Sequence, residues 1–411
     1  MTGFRKTILS CLTAMAVSLA GVGVVPALAA DAVQVGLLVP LSGPWARQGQ
    51  VMRQGAELAI RDINAAGGIE ALGGAPMELE VFDAGDSVER AKNAAQRMVA
   101  EHPELVATAG AFLSSFTLAV TEVTERAGLP VLTLSYSDLI TDRGFRTVFQ
   151  SSATGVAQAE KSLPILLDLA EKASGKRPKT VGIVMDNTAA SIAFVKPMKE
   201  GMLEGLGLEL VVDEVFTPPL ANATPLIQSV RAARPDILLL LPTVISDAKL
   251  LLEKMTEFGL GQGRLPTISN GVAMADPDLL KNMPPQLLQG VMSIVANWGA
   301  KGQEDIIAAF KETSGEPWMT QNPLSAYGHM WIMKAALEEA GQADKAAVAE
   351  ALRRLDLSDG PARYFPGRHI QFDDKGRLAD AGLLVVQWQD GEPRTVYPPD
   401  AAFAEPLWPK R

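Results

Sequence analysis

The stretch that decides the fold is VQVGLLVPLSGPWARQGQVMRQGAELAIRDINAAGG, residues 33–68. Its first part, Val33–Val39, is a short apolar run that predicts a buried β-strand. A loop with Ser42-Gly43-Pro44 follows, and Val51–Ala66 then carries apolar residues at helical spacing until the glycine pair at 67–68 ends the helix. A buried strand that leads through a short loop into an amphipathic helix is the unit of parallel α/β sheets.

The same unit recurs along the chain. Up to about residue 150 it predicts four strands and three helices, and a second run of such units fills residues 151–274, including a helix over Ile192–Leu206. A mostly helical section follows. We therefore predict an α/β protein with doubly wound parallel sheets. Near the C-terminus we expect a hairpin between His369–Phe372 and Leu383–Trp388, with a tight turn at residues 373–376.

The N-terminus has the three parts of a secretory signal peptide. Arg5 and Lys6 supply positive charge, an apolar stretch runs from Cys11 to Val25, and an A-x-A pattern lies at residues 27–29. We predict that residues 1–30 are cleaved on export to the periplasm. The alternative is a membrane-anchoring helix, against which Pro26 and the small residues after it argue.

Composition restricts the chemistry and the partners. Cys11 is the only cysteine, so the exported chain has no disulfide and no thiol nucleophile. The 411 residues carry a formal net charge of −10, which argues against nucleic acid as a partner. There is no G-x-S-x-G, H-E-x-x-H or G-x-x-x-x-G-K-[ST] motif. The three histidines, His102, His329 and His369, lie far apart, so we expect no metal, no cofactor and no enzyme activity.

Two strand-to-helix loops in the first run of units are rich in small hydroxyls. Ser114 lies between a predicted strand and a helix, and Ser135, Tyr136 and Ser137 follow the next strand. Ligands of open α/β sheets bind at the carboxyl ends of strands, where helix N-termini offer free backbone N–H groups. These residues are therefore candidates for binding a carboxylate; the alternative is that they are helix caps or loop residues.

Three longer motifs carry a resemblance to a known family. They are Val35–Gly49, the segment Gly55–Ile69 with its Asn-x-x-Gly-Gly-Ile ending, and Leu129–Phe145. In these motifs the chain resembles the periplasmic solute-binding proteins of the leucine/isoleucine/valine-binding type, the receptors of branched-chain amino-acid ABC importers. The resemblance extends over essentially the whole exported chain.

The resemblance implies two Rossmann-like lobes joined by three crossovers, the type I periplasmic binding protein fold. The first lobe is expected at residues 31–150 plus 275–380, and the second at 151–274 plus 381–411. The ligand's carboxylate would bind on the first lobe, at Ser114 and in the loop Ser135–Ser137.

In the second lobe the sequence departs from the family pattern. In the stretch after Asp186, which includes Asn187, Ala190 stands where an aromatic residue is usual, and Val244 matches a second aromatic position. Asn270 stands where the family has an acidic residue that pairs with the ligand's ammonium group. An amide forms hydrogen bonds but cannot neutralise a cation. We therefore expect a small polar solute, either an amino acid or a related carboxylate or amide. The departure at Asn270 leads to the hypothesis that the ligand is an organic acid, an amide or a urea-like solute without a free ammonium group.

Trp45 and Arg47 follow Ser42-Gly43-Pro44 and are candidates for stacking on the ligand and for pairing with an acid, although structural roles fit both equally well. The resemblance implies capture of a small solute by closure of the lobes and delivery to an ABC permease by a monomer. The alternatives are a sensor of the same fold, which signals to a regulatory partner, and a secreted enzyme.

Overall fold

The computed structural model describes residues 31–281 and 283–408, so the predicted signal peptide lies outside the described residues. Strands and helices alternate over most of this range, as the recurring unit predicts. The strands are β1 (Val33–Val39), β2 (Met77–Asp83), β3 (Thr108–Gly110), β4 (Val131–Thr133), β5 (Val148–Gln150), β6 (Thr180–Asp186), β7 (Glu209–Phe216), β8 (Ile237–Leu241), β9 (Thr267–Asn270), β10 (Met292–Val295), β11 (Asp356–Leu357), β12 (Ile370–Gln371), β13 (Leu384–Gln389) and β14 (Glu392–Tyr397).

The helices connect successive strands and cover the sheets. In the part of the chain described, none combines the length and apolarity needed to cross a membrane. The helices are α1 (Ala46–Ala65), α2 (Val88–Glu101), α3 (Ser114–Arg126), α4 (Gly155–Ser174), α5 (Ala189–Pro197), α6 (Leu203–Gly205), α7 (Thr224–Ala233), α8 (Ile245–Glu257), α9 (Glu304–Ser314), α10 (Gln321–Ala340) and α11 (Lys345–Arg354).

The first lobe is a five-stranded sheet of order β2-β1-β3-β4-β5, parallel throughout, with α1–α3 and α9–α11 around it. Strands β1, β3, β4 and β5 are buried along most of their length because both faces of the sheet are covered there. In β1, Val35 and Leu37 belong to the core shared with α1 and α10, whereas Leu38 belongs to the core shared with α2 and α3.

The second lobe is a seven-stranded sheet of order β14-β13-β10-β9-β8-β6-β7, with α4–α8 around it. Strands β6–β10 are parallel to one another, and β13 and β14 add an antiparallel edge. Leu239 of β8 packs into the core on one face, and Leu238 and Leu240 pack into the core on the other. The doubly wound parallel sheets predicted from the sequence are therefore confirmed.

Three sequence predictions need correction. The return to the first lobe comes later than residue 275, because β10 is hydrogen-bonded into the second sheet. The predicted helix Ile192–Leu206 is broken, since Pro197 cannot donate a backbone hydrogen bond and Gly201 has a φ of 115°. The predicted C-terminal hairpin does not form: β12 pairs with β11, and β13 turns back through Asp390 and Gly391 to pair with β14.

Candidate functional site

A pocket lies between the lobes, where loops from both sheets meet. The first lobe contributes the loops after β3 and β4 and the start of α10, and the second contributes the loops after β6, β8 and β9. The empty space, counted together with the part open to solvent, is about 510 Å³. Among the described residues only uncharged side chains line it, and the polar ones are Ser114, Ser135, Tyr136, Ser191, Thr243, Asn270 and Gln321.

Ser114 is the first residue of α3 and is buried against the loop that follows β4. Its Oγ accepts hydrogen bonds from the backbone N–H groups of Tyr136 and Ser137, both at 3.0 Å. The first N–H groups of a helix have no partner within the helix, so this corner of the pocket is rich in donors. Ser137 itself does not line the pocket, and its carbonyl accepts a hydrogen bond from Gln150 Nε2.

Ser135 lines the pocket, but its hydroxyl is engaged within the protein. Ser135 Oγ donates to the Phe112 carbonyl at 2.8 Å and lies 2.7 Å from Thr117 Oγ1. Phe112 has a φ of 71°, a left-handed conformation that is uncommon for a bulky residue. Ser135 therefore holds the Phe112 loop in place rather than offering a free group to a ligand.

Tyr136 reaches across to the start of α10. Its hydroxyl donates to Gln321 Oε1 at 2.7 Å, and the backbone N–H of Ala296 donates to the same oxygen at 3.1 Å. Burial raises the pKa of Tyr136 above its usual value, so the phenol stays protonated and remains a donor. The carboxamide of Gln321 is thereby fixed from two sides.

Ala190 and Asn270 provide part of the second-lobe wall. Asn270 Nδ2 donates to Gln158 Oε1 at 2.8 Å, and Gln158 Nε2 donates to the Ala153 carbonyl at 2.7 Å. The chain of hydrogen bonds fixes Asn270 at the end of β9. Ala190 presents only a methyl group to the pocket.

Asp186 lies behind the same wall, fully buried at the end of β6. Its Oδ1 accepts hydrogen bonds from the Ser191 hydroxyl (2.8 Å) and from the hydroxyl and N–H of Thr188 (2.7 and 3.1 Å). Its Oδ2 accepts from the hydroxyl and N–H of Thr243, each at 2.7 Å. Asp186 thus joins the loops after β6 and β8 into one rigid rim.

Three predicted site residues lie elsewhere. Trp45 packs edge-on against Phe116, with ring centroids 5.7 Å apart, in a buried cluster that also contains Val244 of the second lobe. Asn187 faces outward and donates to Thr217 Oγ1. Trp45 and Val244 are therefore contacts between the lobes, not residues that line the pocket.

Arg47 is also engaged by the protein itself. Its guanidinium forms a two-pronged pair with Glu316 of the first lobe, at 2.8 and 2.5 Å, and lies 3.3 Å from Asp278 and 3.6 Å from Asp276 of the second. Burial by itself would lower the pKa of Arg47, but the three carboxylates outweigh it and raise the pKa. Arg47 therefore spans the lobes instead of pairing with a ligand.

The sequence reasoning missed several lining residues. Pro242 and Thr243 directly follow β8, so the same rule that found Ser114 also applies to them. Ser191 lies in the stretch after Asp186 but was not singled out. Gln321 begins a helix in the third section of the chain and gives no local signal.

Two α/β lobes that enclose a neutral pocket define a solute-binding protein of the two-lobed type. In the described ranges no group of His, Cys, Asp or Glu is placed to hold a metal ion. Residues 32–393 match the model of the periplasmic binding protein family, and the chain belongs to that family. The match identifies a solute-binding protein and not an enzyme, as the sequence predicts.

Individual relatives agree with this assignment. The chain is 26% identical over 405 residues to Leu/Ile/Val-binding protein homolog 7 of Brucella suis, covering 96% of this chain and 98% of the relative. It resembles the Streptococcus pneumoniae binding protein LivJ in complex with isoleucine, at 18% identity, TM-score 0.74 and coverage of 88% and 98%. It also resembles a Rhodopseudomonas palustris solute-binding protein in complex with 3,4-dihydroxybenzoic acid, at 21% identity, TM-score 0.72 and coverage of 88% and 95%.

Proposed function

We propose that this protein is the periplasmic receptor of an ABC importer and that it captures a small carboxylate or amide without a free ammonium group. The observation that carries the proposal is the uncharged lining of the pocket, to which Asn270 contributes an amide where the family resemblance leads us to expect an acidic residue. A buried ammonium group needs a paired negative charge, because its desolvation is costly.

The first lobe supports binding of a carboxylate or carbonyl group. Ser114 and the first turn of α3 present donors at the pocket, and Gln321 adds a fixed amide. Two solved structures of similar fold hold an amino acid in one case and an aromatic acid in the other, so the fold accommodates both classes.

Capture would proceed by closure of the lobes around the solute. Closure requires contacts with both lobes, because a ligand shifts the equilibrium only through its differential affinity for the two states. The closed receptor, a monomer delivered to the periplasm by cleavage of residues 1–30, would then present both lobes to an inner-membrane permease.

A thermal-shift screen of the chain from residue 31 onwards tests the proposal. The panel contains branched-chain amino acids, the corresponding 2-hydroxy acids, aromatic acids, amides and urea. Ligand at about 100 times its Kd stabilises the native state by about 2.7 kcal/mol, so binding raises the Tm. We expect stabilisation by acids or amides and not by amino acids; strong stabilisation by leucine or valine would contradict the proposal.

A further inference from the structure

The hydroxyl groups on the second-lobe wall have no proton left for a ligand. Ser191 Oγ donates to Asp186 Oδ1 at 2.8 Å, and Thr243 Oγ1 donates to Asp186 Oδ2 at 2.7 Å. Each carboxylate oxygen also accepts a backbone N–H, so Asp186 acts as the acceptor in all of these contacts. A hydroxyl has one proton and two lone pairs, so Ser191 and Thr243 can offer a ligand only lone pairs.

The side chain of Asn270 also presents an acceptor to the pocket. The Ala153 carbonyl can only accept, so Gln158 must turn its Nε2 towards it, and Gln158 Oε1 therefore faces Asn270. Asn270 must therefore donate to this oxygen with its Nδ2 group, and the distance from Asn270 Nδ2 to Gln158 Oε1 is 2.8 Å. Its Oδ1 is consequently the atom left for the pocket, and it is an acceptor.

The first-lobe wall has the opposite polarity. Two backbone N–H groups occupy the lone pairs of Ser114 Oγ, which leaves the hydroxyl proton to donate. Gln321 Oε1 accepts from Tyr136 and from the Ala296 N–H, which can only donate, so the Nε2 group is the end available to a ligand.

From this arrangement we propose that the pocket selects its ligand by hydrogen-bond polarity: an acceptor end, such as a carboxylate, binds the first lobe, and an uncharged donor, such as a hydroxyl, faces the second. The inference rests on the proposed function and specifies the ligand of the same pocket. An uncharged donor suits this wall better than an ammonium group, because no carboxylate of the described residues lines the pocket and Asp186, which lies behind the wall, is already covered by five donors.

The first test compares carboxylates that differ in one group. One set has the leucine skeleton with a hydroxyl, a hydrogen or an ammonium at C2: 2-hydroxy-4-methylpentanoate, 4-methylpentanoate and leucine. The second set is 4-hydroxybenzoate and benzoate. By calorimetry we expect that, in at least one set, the hydroxylated carboxylate binds at least tenfold more tightly than the same carboxylate without the hydroxyl. The reason is that a ligand without the hydroxyl leaves the acceptors of the second-lobe wall buried and unpaired.

The second test removes one acceptor at a time. Thr243→Val keeps the shape but deletes the lone pairs in the pocket, and we expect the preference for the hydroxylated ligand to fall about fivefold. Thr188→Val is the matched control, because Thr188 also donates to Asp186 but does not line the pocket, and it should keep the preference. Ser191→Ala serves as a second variant should Thr243→Val fail to fold.

The outcomes distinguish the inference about hydrogen-bond polarity from the proposed function. If carboxylates bind and the hydroxyl has no effect, or if leucine binds more tightly than its hydroxy analogue, the polarity inference is overturned while solute binding stands. An equal loss of preference in Thr188→Val and Thr243→Val would also overturn the inference. If no acid or amide of the thermal-shift panel binds, and no carboxylate of the two sets binds, the proposed function itself is overturned.

Discussion

At the scale of single residues, His329 is a buried base that should make stability depend on pH. It is fully buried in α10, its Nε2 lies 2.7 Å from Ser151 Oγ, and its Nδ1 has no partner. Burial lowers the pKa of His329 to about 3 from 6.5. The neutral form is thus favoured in the folded state, and its stabilising contribution, complete above pH 6.5, is lost as pH falls towards 3.

We expect the free energy of unfolding to decrease over that range by an amount on the order of 5 kcal/mol from this residue, since each pKa unit corresponds to about 1.4 kcal/mol. Urea denaturation at a series of pH values measures the slope. His329→Gln, which cannot titrate, should show a smaller slope than the wild type between pH 6 and 4. Parallel slopes for the two proteins would contradict the prediction.

At this scale the sequence predicts where a residue lies when its position follows from the strand just before it, whereas its part in binding a ligand stays a prediction. Ser114 and Tyr136 could be predicted at the pocket because both follow strands of the same sheet, and strand ends bind ligands. Gln321 could not, because its place depends on Tyr136, 185 residues away. For Arg47 the sequence could not separate pairing with a ligand from a structural role, because its three carboxylate partners come from distant segments.

At the scale of elements, α1 and α10 cross so closely that only glycine fits at one point. A Cβ on Gly55 would lie 2.1 Å from the Pro323 carbonyl oxygen and 2.7 Å from the Pro323 Cα, both backbone atoms. Gly55→Ala should force the helices apart and lower the free energy of unfolding by about 1–3 kcal/mol, despite alanine's better helix propensity.

The matched control is Gly205→Ala. Gly205 is exposed in α6, and a Cβ there meets nothing within 4 Å. Chemical denaturation should find this variant as stable as the wild type or slightly more stable. If Gly55→Ala were equally harmless, the close crossing of the two helices would be refuted.

Most elements could be predicted from hydrophobic periodicity, and the errors have physical causes. β5 has only three residues, too few for a periodic signal. α1 begins at Ala46 rather than near Val51, because its first turn is polar at Arg47 and Gln48 and packs through partners in other segments. β12 was paired with the wrong strand because its partner β11 has only two residues.

At the scale of the whole molecule, a group of ionic and polar contacts links the lobes beside the pocket. Arg47 of α1 lies within 3.6 Å of Asp276 and within 3.3 Å of Asp278, and Gln48 Nε2 donates to Asp276 at 2.9 Å. Burial raises the pKa of Asp276 above its usual value, with Arg47 opposing the shift. Breaking such a pair on one side leaves a buried charge uncompensated.

Arg47→Gln should therefore favour separation of the lobes. Because Cys11 is the only cysteine, a chain beginning at residue 31 accepts spin labels at Gln96→Cys in α2 and Gln228→Cys in α7, both exposed. The distance distribution between the labels should shift or broaden in Arg47→Gln.

Glu316→Gln is the control: it removes a partner from the same lobe as Arg47 and should leave the distribution close to the wild type, because the contacts across the lobes remain. If both variants match the wild type, Arg47 does not hold the lobes together, and the apolar cluster of Trp45 and Val244 is the contact to test next.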